Sequence, residues 1–134
     1  MQTLYLYLIT LPILVIFDLA WVGGVAKNYY KEQLGSLFSN TPIWSALIAW
    51  YLLYVAALVY FVITPAVAAH SLGRAAFAGA FLGLVAYGTY DLINLGLTAG
   101  WPVQMSFLDM LWGAALSALV SSAVFLIATR VLGL

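Results

Sequence analysis

The chain contains no cysteine and a single histidine, His70. The first absence excludes disulfides, thiolate metal sites and cysteine nucleophiles. The second excludes histidine-cluster iron oxygenases and a bis-histidine haem held within one chain. Charge is as scarce. Four Lys/Arg and four Asp/Glu make up 6% of the residues, where a soluble domain carries roughly 25%. The two signs cancel, so no basic surface is on offer to nucleic acid. There is no Gly-rich phosphate loop, G-x-S-x-G elbow or H-E-x-x-H site. D-x-x-D magnesium clusters are missing, and Tyr90-Asp91 has no G-x-G-D partner of the kind an intramembrane aspartyl protease needs. No metal and no cofactor is expected.

What the chain has in excess is apolar surface. It is 66% hydrophobic, with a mean hydropathy of +1.11. So little charge cannot cover a globule in water, so the exterior must face lipid. A hydrocarbon core of ~30 Å takes ~20 residues of helix. The 134 residues therefore suit four short-looped spans in one membrane domain, 1–134. The predicted fold is all-α: a four-transmembrane-helix bundle with spans near 3–24, 42–63, 75–98 and 107–132. The N-terminus lacks a basic n-region and a cleavage site, and is read as a retained first span. Pro12 is expected to kink that span. Thr41-Pro42 reads as a helix start, and Pro65 as the end of span two. In NYYKEQLGSLF, Tyr30, Leu34, Leu37 and Phe38 recur at helical spacing opposite Lys31, Glu32, Gln33 and Ser36. This predicts a short amphipathic interfacial helix near 28–38.

Four crossings sort the acidic residues. With the amino terminus on side X, spans one and three end on side Y and span four begins there. Asp18, Asp91 and Asp109 all fall in the Y half. Arg74, Arg130 and the amino terminus on X outnumber Lys27 and Lys31 on Y by a narrow margin, which points X to the cytoplasm.

An ionised carboxylate inside a bilayer costs several kcal/mol, and no Lys or Arg lies at the depth of Asp18 or Asp91. Each acid must be neutral, hydrogen-bonded or in a wet cavity. The local repeats FDLAWVG, YDLINLG and LDMLWGA put Trp or Asn three residues after each Asp, on the same helix face. The predicted binding pocket contains Asp18, Trp21, Tyr87, Asp91, Asn94, Asp109 and Trp112. Plainer accounts exist for several members. Ser106-x-x-Asp109 fits a capping box, Asp91 fits interhelical hydrogen bonding, and the Trp residues fit interface anchoring. Asp18 has no such local explanation.

Small residues recur at fours in span three (Ala75, Gly79, Gly83, then Tyr87 and Asp91) and in span four (Asp109, Gly113, Ser117, Ser121). Faces of this kind let helix backbones approach closely in lipid. Gly79, Gly83, Gly113, Ser117 and Ser121 are predicted to form an antiparallel packing seam.

The succession TLPILVIFDLAWVGGVAKNYYKEQLG, YLLYVAALVYFVITPA, AYGTYDLINLGLTAGWP and LDMLWGAALSA resembles a bacterial inner-membrane family catalogued as domain of unknown function 2177. The likeness covers nearly the whole chain. It implies four membrane helices in one compact unit of the bacterial inner (cytoplasmic) membrane, and it carries no established activity or catalytic residues.

Three functions compete at this point. The first is binding or transport of a small molecule or proton through the acid and aromatic pocket, with self-association expected of so small a carrier. The second is a subunit or assembly factor of a larger membrane complex. The third, ranked behind them, is an enzyme acting on a lipid, quinone or isoprenoid with an Asp as general acid or base. The lipid bilayer is the partner common to all three.

Overall fold

A computed structural model describes residues 1–39 and 41–134. The described residues are helical throughout their ordered elements, with no strand. Four helices are long and apolar enough to cross a membrane: α1 (Gln2–Val25), α3 (Trp44–Ala68), α4 (Leu72–Leu97) and α5 (Val103–Val131). The short helix α2 (Lys27–Leu34) follows α1.

Pro12 lies inside the helical stretch Gln2–Ala20. Two other prolines act differently from expectation. Pro65 does not end its helix. A wide π-type turn over Val59–Ile63 precedes it, and the chain continues helical to Ala68. Pro65 brings no N–H, and the register change just upstream, over Val59–Ile63, accommodates that loss without stopping the helix. At the other end α3 starts at Trp44 behind an extended Ile43, not at Pro42. Thr41 points its N–H at the Ser39 hydroxyl instead of capping the helix.

The other boundaries shift for readable reasons. α4 begins three residues early because Ser71 caps it, accepting from the Arg74 N–H at 3.1 Å. α5 begins at Val103 behind Pro102, and the Ser106 hydroxyl donates to the Pro102 carbonyl at 2.7 Å. The expected capping box is therefore absent: Asp109 stands in the second turn of α5, beyond the reach of a cap. α2 ends at Gly35, whose φ of 57° suits glycine, and one 3₁₀ turn, Gly35–Leu37, completes the segment expected over 28–38.

α4 and α5 form the longest interface in the molecule. It is a seam of missing side chains. A Cβ placed on Gly79 would lie 2.7 Å from the Ser117 carbonyl oxygen and 2.9 Å from the Ser121 hydroxyl. One on Gly83 would press still harder on the Gly113 carbonyl, and one on Gly113 would enter the Tyr87 ring. In lipid there is little hydrophobic drive between helices, so contact of this closeness supplies the van der Waals energy that holds them. α1 packs on α5 and on the first half of α3. α3 meets α4 and α5 mainly through Val59–Ile63, in the X half. Leu14, Val55, Leu58, Val62, Leu116 and Val120 fill the core there. In the Y half, α3 stands away from α4.

Gly83→Ala should destabilise the bundle by about 1–3 kcal/mol, the usual cost of overpacking where backbone cannot yield. Gly96→Ala, with open space around it, should be neutral or stabilising by up to about 1 kcal/mol through helix propensity. Unfolding of the two variants in detergent micelles checks the contrast.

Candidate functional site

Asp18 lies about two turns before the Y end of α1 and is 7% exposed. Its two oxygens take donors from two other helices. The Tyr51 hydroxyl of α3 donates to Oδ2, and the Trp112 indole N–H of α5 donates to Oδ1 at 3.3 Å. One carboxylate thus ties α1, α3 and α5 together. Tyr and Trp suit the task because each places one donor on an apolar ring. Hydrogen bonds to a charged group are worth about 1.5–3 kcal/mol each.

Asp109 is served from the interface. Tyr30 of α2 donates its hydroxyl to Asp109 Oδ1 at 2.9 Å, and the same hydroxyl accepts from the Trp21 indole N–H at 2.9 Å. Trp21 and Trp112 stack with centroids 4.5 Å apart and planes 10° from parallel. Expectation paired each Trp with the Asp on its own helix. The structure crosses the pairs, so Trp112 serves Asp18 and Trp21 serves Tyr30. The ring stack holds both indoles in the orientation this requires. Burial raises the Tyr30 hydroxyl above its ordinary ionisation range; the Trp21 donor opposes that shift and the Asp109 charge adds to it. Tyr30 accordingly remains a donor at neutral pH.

Asp91 is fully buried on α4, and neither of its oxygens has a hydrogen-bond partner. Its carboxyl faces that of Asp109 across the α4–α5 seam. Asn94 turns back along α4, donating to the Tyr90 carbonyl at 2.9 Å and accepting from the Thr98 hydroxyl at 3.1 Å. It takes no part in the acid network.

A cavity of about 450 Å³ occupies the space where α3 stands off from α4. Asp18, Tyr87, Asp109 and Trp112 are on its wall, together with Val22, Leu47, Trp50, Tyr51, Ala86 and Tyr90. Of the seven residues assigned to a pocket from sequence, these four reach the wall. Trp21 and Asp91 stand directly behind it, and Asn94 lies outside. Sequence reasoning missed Tyr30, Trp50, Tyr51 and Tyr90. The available signal was the unusual mid-span placement of Trp50, Tyr51 and Tyr54, one helical turn across, where belt aromatics would gather at span ends. Trp50 stacks on Tyr54 at 4.9 Å and meets the edge of Tyr87 at 5.9 Å. Tyr54 in turn shares a hydrogen bond with Ser117.

The wall carries two carboxylates and no Lys, Arg or His; the four basic side chains of the protein are all exposed. Nor do the acids converge as a metal site, since no group of three His, Asp or Glu among the described residues is close enough to hold an ion. What the arrangement can do is receive positive charge or a hydrogen-bond donor between aromatic faces.

Tyr30→Phe leaves the Asp109 oxygen and the Trp21 N–H without partners and should cost about 1–3 kcal/mol of stability. In a double-mutant cycle with Asp109→Asn the two changes should be non-additive by at least about 0.5 kcal/mol. Denaturant unfolding followed by tryptophan fluorescence reads both quantities.

No curated protein and no solved structure matches this chain. A family model described as "Predicted membrane protein (DUF2177)" matches residues 3–126. With four membrane-length helices and a match over nearly its whole length, the chain belongs to that family of predicted membrane proteins of unknown function.

Proposed function

We propose that the protein binds a small molecule carrying positive charge, or a proton, in the cavity of the Y half, as a carrier of the bacterial inner membrane would. One observation carries the reading: a cavity of about 450 Å³ whose only charge-bearing wall groups are two carboxylates, with no basic residue among them. That volume lies within the ~300–1,000 Å³ usual for ligand sites, and the mixture of aromatic wall and few polar groups is the usual composition. A carboxylate out of water needs a proton or a cation beside it. Tyr51, Trp112 and Tyr30 satisfy one lone pair on each oxygen they reach and bring no charge. Asp91, buried behind the wall against Asp109, adds a third carboxyl with no basic residue beside it. A cation entering the cavity would supply the missing charge, and Trp50 and Tyr87 would offer it ring faces. When no cation is present a proton serves the same need, so the two occupants compete for one site.

Benzyltrimethylammonium, a compact cation with one ring, should bind to the protein in nanodiscs and alter its tryptophan fluorescence. Asp18→Asn and Asp109→Asn should each weaken it tenfold or more, which is about 1.4 kcal/mol. A wild-type protein that does not bind the probe, or binding equal in all three, would sink the proposal.

A further inference from the structure

The acidic cavity has a neighbour along α4. A second cleft lies between α3 and α4 on the X side of the first, lined by Phe61, Val62, Phe77, Ala78, Phe81, Leu82 and Val85. Its lining is apolar throughout. Leu82 and Val85 on this cleft are one turn from Ala86 and Tyr87 on the acidic cavity, along the same helix. The two therefore lie end to end along α4, a track with acids at one end and phenylalanines at the other. From Tyr87 to Phe77 that track is about 15 Å long at 1.5 Å per residue, the reach of an alkyl tail of about a dozen carbons.

The approach to the acids also points sideways. From the Y end, α2 lies across the start of α5, with Ala26, Tyr30 and Met105 buried together and Trp21, Tyr29 and Trp101 packed around them. Between α3 and α4 the rim is open instead. Leu47, Trp50 and Tyr90 line the cavity there and are exposed to the lipid side. A ligand entering by that gap arrives from the bilayer.

We infer that the occupant is a single-tailed alkylammonium amphiphile, its cationic head between Asp18 and Asp109 and its tail along Phe61, Phe77, Phe81 and Val85. This rests on the charge-accepting cavity proposed above. Charge complementarity selects the head: two wall carboxylates with Asp91 buried behind them, and no base. The apolar cleft next along α4 selects the tail. Bulk lipid would also touch Phe61, Phe77 and Phe81, but only a molecule anchored at the acids would be held there.

Photolabelling separates the two cases. The probe is a dodecyltrimethylammonium with a diazirine at the tail end, added to wild-type protein in nanodiscs. Labels should concentrate on residues 61–62 and 77–85, at least fivefold over other lipid-facing positions such as Leu4, Leu8 and Phe107. The excess should vanish in Asp18→Asn and on competition with benzyltrimethylammonium. Ala78→Trp, which fills the track at a distance from the acids, should abolish the excess while leaving benzyltrimethylammonium binding at its wild-type strength. Uniform labelling of all lipid-facing positions, while the compact cation still binds, overturns the tail track alone. Failure of the compact cation to bind overturns the track and the cavity reading together. Lipid extraction of the protein from its own membrane then distinguishes the source: an amine lipid at one per chain marks a resident lipid, and its absence beside positive labelling marks an amphiphile taken up from outside.

Discussion

The close approach of α4 and α5 decides where everything else can go. Gly79, Gly83 and Gly113 let one backbone rest on the other, with no side chain between the Gly83 Cα and the Gly113 carbonyl. Tyr87 takes its position from the same contact, since its ring occupies the space a side chain at Gly113 would need. Asp91 and Asp109, one turn further along each helix, are brought face to face. With α4 and α5 locked, α1 packs on α5 and draws α3 with it, and the first half of α3 is left standing away from α4. The cavity is the space that this asymmetry leaves.

The acids cost stability that aromatic donors recover only in part. Asp18 is satisfied by Tyr51 and Trp112 from two neighbouring helices, so its burial also crosslinks the Y half. Asp109 draws the interfacial helix into the fold through Tyr30, and Tyr30 in turn engages Trp21. A bundle needing only cohesion would do better with apolar residues at these depths, because partly satisfied buried charge is dearer than well-packed hydrocarbon. Asp91 makes the point most sharply, since it is fully buried and the group it faces is a second carboxyl, Asp109.

Much of the architecture was legible from composition and spacing. Four spans follow from hydropathy and length, and the shared Y half of the three acids follows from counting crossings. The glycine stripes identify α4 and α5 as mutual partners because only small residues at fours permit such contact. The site was legible in part. Local spacing suggested that Trp21 serves Asp18 and Trp112 serves Asp109, yet a side chain three residues along shares a face without being aimed at its neighbour. Once Trp21 and Trp112 stack, each indole N–H points to a different helix. Tyr30 and Tyr51 were out of reach for a related reason: their roles depend on contacts 79 and 33 residues away in sequence, which no local pattern encodes. Asn94 misled because its polar side chain satisfies itself on its own helix. Pro65 misled because a π-type turn beside it absorbs the defect that proline usually makes.

The chain has only three aspartates, Asp18, Asp91 and Asp109, so selective ¹³C labelling of aspartate carboxyls gives three signals that report on the site alone. Solid-state NMR of the labelled protein in lipid, with and without an alkylammonium amphiphile, tests most directly whether these acids form a binding site. The account predicts that the Asp18 and Asp109 signals shift together on addition of the amphiphile, with Asp91 following through its contact with Asp109. Three signals that stay fixed at saturating amphiphile would contradict it and leave the acids as internal struts of the bundle.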